Sequence, residues 1–151
     1  MKTATLYDRD LLAWADESAR LLRSRSFDQL DVENIAEEIE SLGANRKREL
    51  ASRIEEIIEH LLKLQLAPDF EREQNGRLWR ISIHKHRRGI EQLLEESPSL
   101  RAQLTEELLR KCYAHAARDV KIADFAMFTL PPRKCVYTWA EILSAEEENA
   151  Q

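Results

Sequence analysis

Two windows of opposite charge constrain this chain more than any other feature. Window 31–42 contains Asp31, Glu33, Glu37, Glu38 and Glu40 without a Lys or Arg, and window 77–88 contains Arg77, Arg80, Lys85, Arg87 and Arg88 without an acid. Apolar residues recur in both at helical spacing, so each window reads as an amphipathic helix. Two such helices can neutralise each other inside one small bundle. The pattern therefore speaks about architecture before it speaks about partners.

Composition agrees. Across 151 residues, 34% are charged and 43% hydrophobic, with 3 Gly and 4 Pro, a balance suited to helices rather than to sheets with many tight turns. An all-α bundle of five main helices with a short C-terminal sixth is expected, forming one domain over 1–151 whose last residues, from 146, fray. The net charge of −5 excludes a protein that coats nucleic acid over its whole surface. No N-terminal signal segment and no membrane-length apolar run occurs, which points to a soluble, cytoplasmic protein. Cys112 and Cys135 are too few and too scattered for a disulfide framework, in keeping with a reducing compartment.

Helix punctuation divides the chain. Asp8 is a candidate cap for a helix over 9–25 carrying Leu11, Leu12, Ala15, Ala19 and Leu22. Asp31 caps a second, in which Val32, Ile35, Ala36, Ile39 and Leu42 form the apolar stripe and Gly43 supplies a stop. A third begins at Asn45, carries Leu50, Ile54, Ile57, Ile58, Leu61 and Leu62, and ends at Pro68. The polar segment 67–76, with Pro68 and Gly76, is the clearest loop. Asn75 opens a fourth helix that runs to 96. Ser97-Pro98 starts a fifth, to 124, whose apolar residues drift around the axis, so that it bends or meets different neighbours along its length. Thr138 and Glu141 make a capping box for the last helix, with Ile142 and Leu143.

Candidate chemistry concentrates on the fourth helix. Trp79, Ile83, Arg87, Ile90 and Leu94 fall within about 80° of one another on the helical wheel, which sets Arg87 inside an apolar stripe. A guanidinium there must find a carboxylate or leave the core open to water, because an unpaired buried charge is very costly. Glu38, at the edge of the second helix's stripe, is the expected partner. The opposite face presents Arg77, Ile81, Lys85 and Arg88, with Leu78 beside them. That face can grip phosphates or a partner protein, and the C-terminal segment with Trp139, Glu141 and Ile142 is expected to cover it. His84 and His86 point about 200° apart on a helix and cannot share a metal. Glu56 with His60, and Cys112 with His115, are single pairs one turn apart, short of the ligand count of a zinc or di-metal site. No metal, cofactor or catalytic set is identified, which weighs against an enzyme. Arg133 and Lys134 precede Cys135 and can lower its thiol pKa modestly, yet no base accompanies it.

The order of several motifs resembles a bacterial family known as a domain of unknown function, number twenty-nine in its series. The resemblance spans Leu6 to Leu143. It rests on Tyr7-Asp8-x-Asp10 with Trp14, Leu30-Asp31-x-Glu33-Asn34, Glu37-Glu38-Ile39 through Leu42-Gly43, His60-Leu61-Leu62-Lys63, then Trp79, Ile83 and Arg87, Ser97-Pro98-Ser99-Leu100, and Cys135-x-Tyr137-Thr138. The chain departs at Val136, where the family usually carries proline. The resemblance implies an α-helical bundle and no assigned activity. It also implies a structural polar cluster of Glu37, Glu38, His60, Lys63 and Arg87 between the second, third and fourth helices.

The functional expectation is a protein-interaction or regulatory module with a protein partner. The alternatives are a small-ligand binder or enzyme with a pocket of Glu38, His60 and Arg87, and a nucleic-acid binder using Arg77, Ile81, Lys85 and Arg88. Nucleic acid is disfavoured by the acidic total and membrane by the lack of an apolar span; oligomeric state is left open.

Overall fold

A computed structural model describes residues 5–123 and 129–144, and the structural statements below concern those residues. The chain is all-α, and among the described residues there is no strand. The helices are α1 (Leu6–Arg9), α2 (Leu11–Arg23), α3 (Val32–Leu66), α4 (Asp69–Glu96), α5 (Glu106–Ala123) and α6 (Trp139–Leu143), with 3-10 turns at Phe27–Gln29 and Pro98–Gln103. Its contacts cluster into two compact units, Met1–Asn45 and Arg46–Gln151. The expected frayed tail lies outside the described residues.

The first unit is small and held largely by polar contacts. Thr5 and Asp8 form a reciprocal capping box for α1, and Asp10, not Asp8, caps α2 by accepting from the Ala13 amide. The shift from Asp8 follows from that box: the Asp8 carboxylate is already bonded to the Thr5 amide and hydroxyl at 2.8 Å. Helix α2 ends on Arg25 at φ 60°, with the Ser26 amide bonded to the Leu21 carbonyl and the Arg25 amide to that of Leu22. This is a Schellman ending with arginine where glycine is usual. Asp31 accepts from the Asn34 amide at 3.4 Å, the cap expected from the sequence. Tyr7 packs edge-on against Trp14 with ring centroids 4.9 Å apart, and its hydroxyl donates to Glu38 Oε1 at 2.7 Å.

The second unit contains the core. Leu50, Ile54, Ile57, Ile58 and Leu62 of α3 meet Ile83, Ile90, Leu93 and Leu94 of α4, and Leu109, Cys112, Tyr113, Ala116 and Val120 of α5. Ile142 of α6 joins them and is fully buried. The Thr138–Glu141 capping box that starts α6 forms as the sequence suggests. Tyr113 and Tyr137 anchor the segment that leads to it, donating to the Pro132 carbonyl at 2.8 Å and to Gln65 Oε1 at 3.1 Å.

Three expected boundaries move. Gly43 does not stop a helix, and α3 runs unbroken through it, because no residue after it breaks the helix and Arg46 to Leu50 are strong helix formers. The segment 67–76 is not a loop. Pro68 serves as the N-cap of α4, Asp69 and Glu71 suit its positive end, and Gly76 lies buried inside the helix. A Cβ at Gly76 would make only ordinary van der Waals contact, 3.6 Å from Leu64, so the glycine is carried by the helix formers on either side of it. Ser97-Pro98 starts a 3-10 turn only. Thr105 caps α5 afresh, accepting from the Leu108 amide at 3.2 Å, so the drifting apolar pattern marks two elements rather than one bent helix.

Candidate functional site

The outer face of α4 is the most chemically distinctive surface of the second unit. Ile83, Ile90 and Leu94 turn inward, so the 3.6-residue period turns Arg77, Leu78, Ile81, Lys85 and Arg88 outward, and all five are exposed. Leu78 is 63% exposed and Ile81 53%. The expectation that the C-terminal segment covers this face is not met: α6 lies on the other side of the helix. There the Arg87 Nε donates to the Ile142 carbonyl at 3.0 Å and its Nη2 to the Glu141 carbonyl at 2.6 Å. The apolar residues of the tail follow the core stripe of α4, which buries more area than the basic face would.

An open groove of about 760 Å³ runs along this face, lined by Arg53, Ile81, His84, Lys85, Arg88 and Glu95 among others. Arg53 reaches it from α3, held by Glu49 at 2.9 Å. Its guanidinium crosses α4 at Gly89, where a Cβ would stand 2.6 Å from Arg53 Cζ. The signal for this contact was the glycine directly after the basic window, whose absent side chain leaves a seat for an arginine from the preceding helix.

The polar residues grouped by family resemblance are distributed over both units. Glu37 and Glu38 belong to the first, where Glu38 accepts the Tyr7 hydroxyl and Glu37 is exposed. The Glu38 carboxylate and its surroundings raise the Tyr7 phenol to about 12, the hydrogen bond being the leading cause. His60, Lys63 and Arg87 belong to the second. Lys63 pairs with Glu59 at 2.6 Å and His60 Nε2 lies 3.7 Å from Glu56. Backbone carbonyls at the end of α6 take up the Arg87 guanidinium. Those carbonyls are orphan acceptors of a helix C-terminus and suit a cation.

His60 and His86 mark a buried polar seam between α3 and α4. The Nδ1 atoms of both rings are buried without a hydrogen-bond partner among the described residues. Burial depresses both imidazoles below the ordinary value, opposed by Glu56 for each and by Glu59 for His60. His84, two residues before His86, is exposed, as their angular separation requires. His115 is tied to Glu55 at 2.8 Å, away from Cys112, whose thiol is buried and pushed up to about 12. Burial also raises Cys135, against the expectation from Arg133 and Lys134, and its Sγ donates to the Tyr137 carbonyl. Neither thiol is poised as a nucleophile. Among the described residues no three His, Cys, Asp or Glu side chains gather as a metal set.

An all-α protein with a basic, partly apolar helix face is the class that this geometry defines. The chain belongs to the family described as Domain of unknown function DUF29, whose model matches residues 6–146. No curated protein and no solved structure matches it. Among the described residues, no helix is long and apolar enough to cross a membrane.

Proposed function

We propose that this chain is a helical protein-interaction module whose docking surface is the outer face of α4. The observation that carries the reading is the exposure of Leu78 and Ile81 among Arg77, Lys85 and Arg88. Exposed apolar side chains rimmed by charge fit a partner that supplies both apolar area and carboxylates. Glu91 and Glu95 line the same groove, which dilutes its attraction for phosphates and favours a protein over a nucleic acid.

The test compares wild type with Ile81→Asp/Arg88→Glu in affinity capture from the native host. Proteins held by wild type and lost by the variant support the reading, and identical captures overturn it. Duplex DNA binding that falls steeply with salt, and is lost in Arg77→Ala/Lys85→Ala/Arg88→Ala, would transfer the same face to nucleic acid.

A further inference from the structure

The acidic window is left as open as the basic one. On α3, Val32, Ile39 and Leu42 are 60%, 63% and 67% exposed, although their spacing had marked them as a buried stripe. Ala36 and Gly43 share that strip, and Glu33, Glu37 and Glu40 flank it on one side, all exposed. On α4, Leu78, Ile81, Lys85 and Arg88 recur at alternating three- and four-residue steps, as do Val32, Ala36, Ile39 and Gly43 on α3. This is the spacing of helices that pair side by side, with flanking charges choosing the partner. Among the described residues both strips are exposed, the α3 strip flanked by acids and the α4 strip carrying apolar and basic side chains together.

We propose that the two windows pair between molecules: the acidic 31–42 face of α3 in one copy docks on the basic 77–88 face of α4 in a second copy. The inference rests on the reading of α4 as a docking surface and names its occupant. Each window is about three turns, or ~18 Å of helix, and one such contact is small for a stable interface. A closed twofold pair makes it twice, because each copy supplies both an acidic and a basic face. Like windows repel, so neither face pairs with its own kind, and association weakens as salt screens the charges.

The experiment is analytical ultracentrifugation of the full chain at about 50 mM and about 500 mM salt. A dimer is expected at low salt, with affinity falling at least tenfold at high salt. Lys85→Glu/Arg88→Glu and Glu37→Lys/Glu40→Lys should each be monomeric alone, and an equimolar mixture should associate again, because reversing one face in each copy restores both contacts. All four residues are exposed, and unchanged circular dichroism checks that the variants fold. Ile39→Gln, which keeps every charge, should weaken the dimer as well. A wild-type protein that stays monomeric at about 100 µM in low salt overturns the pairing, as does a mixture no more associated than its parts. Wild type that is monomeric but still captures another protein through Ile81 and Arg88 overturns the self-pairing alone, whereas identical captures by wild type and the α4 variant overturn the docking surface itself.

Discussion

The two units reach stability by different means. In the second, side chains of α3, α4, α5 and α6 are removed almost wholly from water, Leu50, Ile54, Ile57, Ile58, Leu62 and Ile142 among them. In the first, only Trp14, Ser18 and Leu21 are buried among the described residues, while Leu12, Ile39 and Leu42 are each more than 60% exposed. Its order comes from one capping box, the Asp10 and Asp31 caps and the Tyr7–Glu38 bond. The contrast teaches that an apolar stripe at helical spacing predicts a helix and a face, but not that the face is covered within the chain.

The sharpest way to break this comparison is a matched pair of truncations on one helix. Ile58→Ala removes fully buried side-chain atoms and should cost about 2–5 kcal/mol, measured by denaturant unfolding. Ile39→Ala, on the same helix but 63% exposed, should stay within about 0.5 kcal/mol of wild type. Equal costs would mean that the first unit has a core of its own at that face. Next in size is Arg87→Ala, which strands two carbonyl acceptors of α6. Loss of its charge-assisted bonds should cost about 1.5–3 kcal/mol and expose α6 to hydrogen exchange. Unchanged protection in α6 would mean that these two bonds do not hold it in place.

Much of the fold was legible because helix formation is local. The periodicity of Leu50 to Leu62 and the Thr138–Glu141 box depend on neighbours one turn away, and both appear as read. Pro68 and Gly76 misled because each is tolerated where context permits: proline at a helix start, and a single glycine inside a helix whose neighbours continue it. Gly43 misled similarly, since glycine ends a helix only when the residues beyond it do not continue the pattern. The site was less legible. That Arg87 needs a polar partner followed from its stripe, but that α6 carbonyls accept from it required knowing that α6 lies beside it. Tertiary neighbours are not written in helical spacing.

A smaller, pH-dependent difference should separate the units further. Burial holds His60 and His86 below the ordinary value of 6.5, so the folded state binds fewer protons than the unfolded state as pH falls past that value. Their contribution to stability is therefore complete above about 6.5 and is lost as pH drops through their depressed folded values. Lys63 and Arg53 add to the cost of protonation, at His60 and His86 respectively, and Glu56 reduces it at both. Between about pH 7 and about pH 5.5 the wild-type melting temperature should fall more than that of His60→Gln/His86→Gln. Equal falls would place the acid sensitivity elsewhere.

The smallest expected effect lies in the first unit, at Arg25. Its φ of 60° puts a side chain in the left-handed region, where Cβ crowds the following carbonyl at a cost of roughly 1–2 kcal/mol. Glycine removes that crowding while keeping both amide bonds of the Schellman ending. It also gives the unfolded chain more freedom to lose, which offsets about 0.4–1 kcal/mol of the gain. Arg25→Gly should therefore stabilise by about 0.5 kcal/mol, and Arg25→Asn, which tolerates this conformation partly, by less. The gain should appear as added hydrogen-exchange protection in the last turn of α2, with little change in the amides of α4 and α5. Arg25→Gly that instead destabilised the protein would show that the exposed guanidinium contributes more than its strained backbone costs. The first unit would then depend on its surface charges even at its helix ends.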